Sequence, residues 1–172
     1  MHGDEEAFDT LVGLVGDSMH SVARRILRDT TLAQDATQQA LLDAWRNLPT
    51  LRDPDRFEAW THRLLVNACY AEGRRDRRQH GNLRLLSRDE FDPDTASRVA
   101  TLDQLDRGFR RLSIEHRTVV VLVHYLGLTP TEAAERMGTP AGTARSRLHY
   151  ALQQLRSALE ADARPATSRG TA

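Results

Sequence analysis

The chain has 172 residues, room for one ordinary domain or two small helical ones. Its 24 basic residues, all arginine, equal its 24 acidic ones, so no global field draws it to DNA, and any nucleic-acid role must rest on local clustering or on a partner that supplies affinity. A single cysteine, Cys69, excludes an internal disulfide framework and a Cys-based zinc site; the acidic start Met1-His2-Gly3-Asp4-Glu5-Glu6 is no secretory signal, and no apolar run approaches the roughly 20 residues of a membrane span, so the expectation is a soluble, cytoplasmic protein without membrane insertion.

Phe8, Leu11, Val12, Val15, Met19, Val22, Ala23, Ile26 and Leu27 recur at helical spacing and predict a long amphipathic helix ending near Arg28-Asp29. A second helix is expected from about Leu32 to Leu48, closed by Pro49, with Ala33, Ala36, Thr37, Ala40, Leu41, Ala44, Trp45 and Leu48 as its inner stripe. Its outer face carries Asp35, Gln38, Gln39 and Leu42, an apolar residue among polar ones. After a loop with two prolines, Phe57, Trp60, Leu64, Leu65, Ala68 and Cys69 mark a third helix. On its other side Arg63, Asn67, Tyr70 and Arg74 fall in one narrow sector at 100° per residue and lead into Arg75, Arg77 and Arg78. Asn and Tyr interleaved with Arg can hydrogen-bond and stack on bases as well as hold phosphates. The plain alternative is a solvated face with a snorkelling tyrosine.

From His80 to about Ala100 periodicity fades through the acidic, proline-broken Asp89-Glu90-Phe91-Asp92-Pro93-Asp94, which predicts a flexible linker over 81–100. Leu102, Leu105, Phe109 and Leu112, then Val119 to Leu126, resume the helical pattern. Thr129, Pro130 and Glu132 compose a capping box with proline at the first helical position, Gly138 is a stop, and Thr139-Pro140 repeats the start signal. The helix that follows has Leu148, Ala151, Leu152 and Leu155 as its buried stripe. It offers Thr143, Arg145, Ser146, Arg147, His149 and Tyr150 as donors to phosphates and base edges. Two short helices about a glycine turn are the grammar of a helix-turn-helix, although the same pairing occurs in helical proteins that never touch DNA. The tail, 164–172, is expected to be disordered. No stretch alternates with period two, so the fold class is all-α: modules over 1–80 and 101–163 joined by the linker.

Taken together, these segments resemble a bacterial RNA polymerase sigma factor of the small, two-domain extracytoplasmic-function type, with sigma-70 regions two and four. The stretch from Ala33 to Arg46 is similar to the family's polymerase-binding helix, Phe57 to Tyr70 and the arginines after it to its minus-ten segment, and Gly142 to Leu148 to its minus-thirty-five recognition helix. The resemblance implies that Asp35, Gln38, Gln39 and Leu42 dock on the clamp helices of the beta-prime subunit. It implies that the loop from Leu48 to Asp55 receives a flipped base, and that Arg63, Asn67, Tyr70, Arg74, Arg75, Arg77 and Arg78 hold the melted strand. Thr143, Arg145, Ser146, Arg147, His149 and Tyr150 would then read the minus-thirty-five element in the major groove while other faces meet the beta flap. Core RNA polymerase, promoter DNA and an anti-sigma factor are the implied partners. Gln39 stands where the family usually has a glutamate and Ala71 where it often has an aspartate, and Gly73 weakens the helix before the arginines. Neutral net charge agrees with a protein that binds promoters weakly when alone.

Two rivals remain at this level: a response-regulator-type activator with a similar helix-turn-helix, and a helical adaptor or inhibitor using the Leu42 face. The seven histidines form no tight metal-ligand motif, and His62 with Cys69 is too few ligands for zinc. No phosphate loop, nucleophile elbow or paired carboxylates emerge, so neither a cofactor nor enzymatic activity is expected.

Overall fold

The computed structural model describes residues 2–80 and 96–163. Every element in them is helical. Helix α1 (His2–Leu27) stops where Arg28 takes a left-handed φ of 59°, which turns the chain so that Asp29 can cap α2 (Thr30–Asn47) by accepting a 2.9 Å bond from Leu32 N. Because the cap is Asp29, α2 begins before the first apolar residue of its stripe. Ala33, Ala36, Ala40 and Ala44 make its inner face, letting α1 and α3 approach closely. So close an approach leaves no room for an indole, and Trp45 is turned out, 40% exposed, against the expectation that it belonged to the inner stripe. Two short 3₁₀ turns, Leu48–Thr50 and Pro54–Arg56, the second capped by Asp53, carry the chain into α3 (Phe57–His80).

Helix α4 (Ala96–Arg111) starts inside the segment expected to be linker, because its first turn carries little apolar sequence for periodicity to detect. The rest of the expected linker and the tail lie outside the described residues. Ser113 caps α5 (Ile114–Val120), which widens into a π turn over Val121–Tyr125, with Leu126 N bonded to Val121 O at 3.2 Å.

Helix α6 (Pro130–Met137) has the expected capping box: Thr129 N donates to the Glu132 carboxylate at 2.7 Å and Glu132 N to Thr129 Oγ1 at 3.3 Å. Gly138 ends it at φ 62°, where a side chain would strain the backbone. The start of α7 (Ala141–Ala163) differs from expectation. Pro140 is the cap residue, its carbonyl accepting from Ala144 N at 3.2 Å, while the Thr139 hydroxyl is buried without a hydrogen bond among the described residues. The buried stripe of α7 runs Ala144, Ala151, Leu155 and Ala158 with Leu148 half-buried, and Leu152, expected in it, is 38% exposed. Steps of three and then four residues lead from Leu148 to Ala151 and Leu155 and pass Leu152 by.

The two helical modules pack against each other and exchange side chains. Ile114 of α5 and Val121 of the π turn join the core formed by Met19, Val22, Ile26, Leu65 and Cys69. In return Val66 of α3 is buried among Leu112, Val119, Leu122, Ala133 and Met137. Tyr70 and Phe109 touch both groups.

Candidate nucleic-acid interface

Three surfaces carry the residues singled out by sequence. On α2, Asp35, Gln38, Gln39 and Leu42 are all exposed, with Gln39 donating to Asp43 at 3.0 Å. Leu42 is 43% exposed, and Trp45, three residues on, extends it into an apolar patch flanked by amides and carboxylates. Sequence reasoning missed Trp45 because its position fits the inner stripe, and only the closeness of the alanine-lined contact excludes it.

On α7, Arg145, Ser146, His149 and Tyr150 are exposed. The His149 and Tyr150 rings meet edge to face at 5.8 Å, and Ser146 Oγ donates back to Gly142 O at 2.6 Å. Thr143 and Arg147 are half-buried. Arg147 faces the first module, near enough to act on the Glu115 carboxyl and the Tyr70 phenol. Burial alone would raise the Glu115 carboxyl. Hydrogen bonds from its own backbone and from Ser113, with Arg77 and Arg147 nearby, hold it below its ordinary value instead.

The α3 surface is divided. Asn67, Arg74, Arg75, Arg77 and Arg78 are exposed, and Arg74, Arg75 and Arg78 line an open hollow of about 430 Å³ with Ala71 and Gln79. Tyr70, by contrast, is half-buried, its hydroxyl enclosed beside Thr118 without a hydrogen bond of normal geometry, and burial pushes its pKa up. Arg63 is exposed but lies against the α6–α7 turn, its guanidinium 4.0 Å from where a Cβ on Gly138 would sit. Between the 3₁₀ loop and that turn opens a cleft of about 620 Å³, walled by Thr50, Leu51, Arg52, Trp60 and Arg63 on one side and by Glu135, Arg136, Thr139 and Pro140 on the other. Arg56 bridges its mouth to Glu135 at 3.4 Å.

Two buried polar groups beneath this surface bear on its chemistry. Burial pushes the Cys69 thiol up to about 12, which leaves it an inert packing group. His62 is buried, and burial lowers its pKa, with Arg136 lowering it further against the opposing pull of Glu58. The folded protein therefore resists protonating His62 while the unfolded chain takes the proton near 6.5. This contribution to stability is complete above 6.5 and lost as pH falls below it. A urea midpoint that drops between about pH 7 and pH 5 is expected, with a shallower drop in His62→Gln; equal drops in both proteins would exclude His62 as the cause. Among the described residues no three His, Cys, Asp or Glu side chains converge as metal ligands, and no helix is long and apolar enough to cross a membrane.

Comparison with known proteins finds relatives of both modules. Residues 11–79 match the Sigma-70 region 2 family and residues 108–157 the Sigma-70 region 4 family. The chain is 33% identical over 155 residues to the ECF RNA polymerase sigma factor SigM of Mycobacterium tuberculosis, spanning 89% of this chain and 77% of that protein. It is 31% identical over 162 residues to the RNA polymerase sigma-E factor of Streptomyces coelicolor, spanning 92% and 89%. Its fold is like that of the Bartonella quintana sigma factor RpoE, solved in complex with the anti-sigma factor NepR, with a TM-score of 0.70 at 22% identity over 91% of this chain and 99% of that one. CnrH, solved with the cytosolic domain of CnrY, superposes with a TM-score of 0.64 at 26% identity over 92% and 91%.

Proposed function

Because the chain belongs to the extracytoplasmic-function sigma factors and directs promoter-specific initiation of transcription, we propose a division of that work between its modules, over 1–80 and 101–163. Asp35, Gln38, Gln39 and Leu42, with Trp45 added, dock on the beta-prime clamp helices of core RNA polymerase. The cleft beside Trp60 and Arg63 takes the flipped base of the minus-ten element, and Asn67, Tyr70, Arg74, Arg75, Arg77 and Arg78 hold the melted strand. Thr143, Arg145, Ser146, Arg147, His149 and Tyr150 read the minus-thirty-five element, and neighbouring faces of that module meet the beta flap. The protein works in the cytoplasm with the polymerase and has no catalytic chemistry of its own. An anti-sigma factor is its third partner, a reading supported by the two solved relatives, each held in complex.

The observation that carries this proposal is the exposed Leu42 and Trp45 patch on a helix whose other face is close-packed alanine. Such a patch on a polar face suits a protein partner. Leu42→Asp is expected to leave the helical fold intact while abolishing both co-purification with core polymerase and run-off transcription. Wild-type run-off from this variant would remove the α2 face from the polymerase contact.

A further inference from the structure

The cleft between the 3₁₀ loop and the α6–α7 turn holds more chemistry than one base requires. Its first-module wall presents the Trp60 ring, half-buried and packed against the Phe57 ring at 6.2 Å and 43°, beside Leu51 and Ala59. Ala134 and Pro140 are the apolar groups of the opposite wall. An aromatic ring flanked by aliphatic groups is a stacking platform for a planar heterocycle. The volume of about 620 Å³ falls within the roughly 300–1,000 Å³ of small-molecule sites.

The charged groups of the cleft have a definite sign. Arg52, Arg56, Arg63 and Arg136 line it against Asp53 and Glu135, an excess of two positive charges. Both carboxylates are engaged: Asp53 accepts from Asp55 N at 3.1 Å, and Glu135 is held by Arg56 at 3.4 Å and by Arg136 at 3.9 Å. Arg52 and Arg63 make no ion pair among the described residues. Two donors of the second-module wall also lack an acceptor. Arg136 Nε and the Thr139 hydroxyl are buried without a hydrogen bond among the described residues, and the Arg136 side chain is only 13% exposed. Buried donors left unmatched are rare and costly, and an acceptor-rich anion would satisfy them. A phosphate monoester brings several acceptor oxygens and a charge of about −1.5 to −2 at neutral pH.

Resting on the base-binding role proposed above for this cleft, we propose that it also takes a free nucleoside monophosphate, its base on Trp60 and its phosphate among Arg52, Arg63, Arg136 and Thr139. A base flipped from a strand trails backbone in both directions. A free nucleotide trails none, so it can meet both walls at once without opening the Arg56–Glu135 bridge at the mouth. The free ligand and the minus-ten base then compete for the same ring.

Calorimetric titration of the full-length protein with GMP tests this, with guanosine and inorganic phosphate as the two half-ligands. GMP is expected to bind at least about tenfold more tightly than either half, and to raise the thermal midpoint. Thr139→Val, which keeps the branched shape and removes the hydroxyl, and Arg136→Gln are each expected to weaken GMP about tenfold. Arg74→Ala, on the open hollow of α3, is expected to leave GMP affinity unchanged. No GMP binding, a half-ligand bound as tightly as GMP, unchanged affinity in either wall variant, or an equal loss in Arg74→Ala would each overturn the site. Run-off transcription by Trp60→Ala reads the base-binding role separately. Lost run-off with polymerase association retained, in a protein that binds no GMP, refutes the nucleotide site alone, and undiminished run-off refutes the underlying reading.

Discussion

Leu122→Ala is expected to lower the thermal midpoint by roughly 6–12 °C, the equivalent of about 3 kcal/mol in a chain of this size. Leu122 is fully buried in the core of the second module and packs among helices that also hold Val66 from the first. Truncating it removes the transfer energy of its methyl groups and leaves a cavity. The alanines at 133, 144 and 151 have no side-chain length with which to fill it. Differential scanning calorimetry measures the shift. A change below about 2 °C would mean that the helices collapse around the gap and that this core is loosely packed. Leu42→Ala, on the exposed face of α2, is the control, with an expected change within about 0.5 kcal/mol.

Replacing Arg145 and Arg147 together by alanine is expected to reduce promoter-specific run-off transcription by on the order of a hundredfold, since each arginine that reads a base edge or grips a phosphate is worth about 1–3 kcal/mol. Association with core polymerase is expected to be retained, because the docking face proposed on α2 lies on the other module. The two arginines also separate experimentally. Arg145 is exposed, whereas Arg147 is half-buried near Glu115 and Tyr70. Arg147→Ala alone should therefore also loosen the junction between modules, and Arg145→Ala should not. Undiminished transcription by the double variant would show that α7 does not read the promoter.

Much of this architecture was legible because its causes are local. Helix periodicity, the Thr129 and Glu132 capping box and the glycine stop at 138 all act within one or two turns, so they can be read from neighbouring residues. The exposed faces of α2 and α7 followed from the same arithmetic. Errors occurred where a partner element overrides the pattern. Trp45 fits an apolar stripe but is too large for a contact built on alanine. Thr139-Pro140 repeats a start signal whose hydroxyl is buried without a hydrogen bond among the described residues. On α3, Arg63, Asn67, Tyr70 and Arg74 share a sector in one dimension, yet Tyr70 also borders Val66 and Gly73, and nothing in the spacing says that a second module lies there.

The amino-acid sequence by itself determined the helices, their order, the helix-turn-helix and the family, because capping, periodicity and motif spacing are properties of short stretches of chain. Only the tertiary structure decided which faces meet. It sets Ile114 of one module in the core of the other, Val66 in the reverse direction, and Gly73 against Ile114. Those contacts join residues far apart in the chain, and they depend on side-chain volumes fitting across two surfaces, which no local pattern encodes.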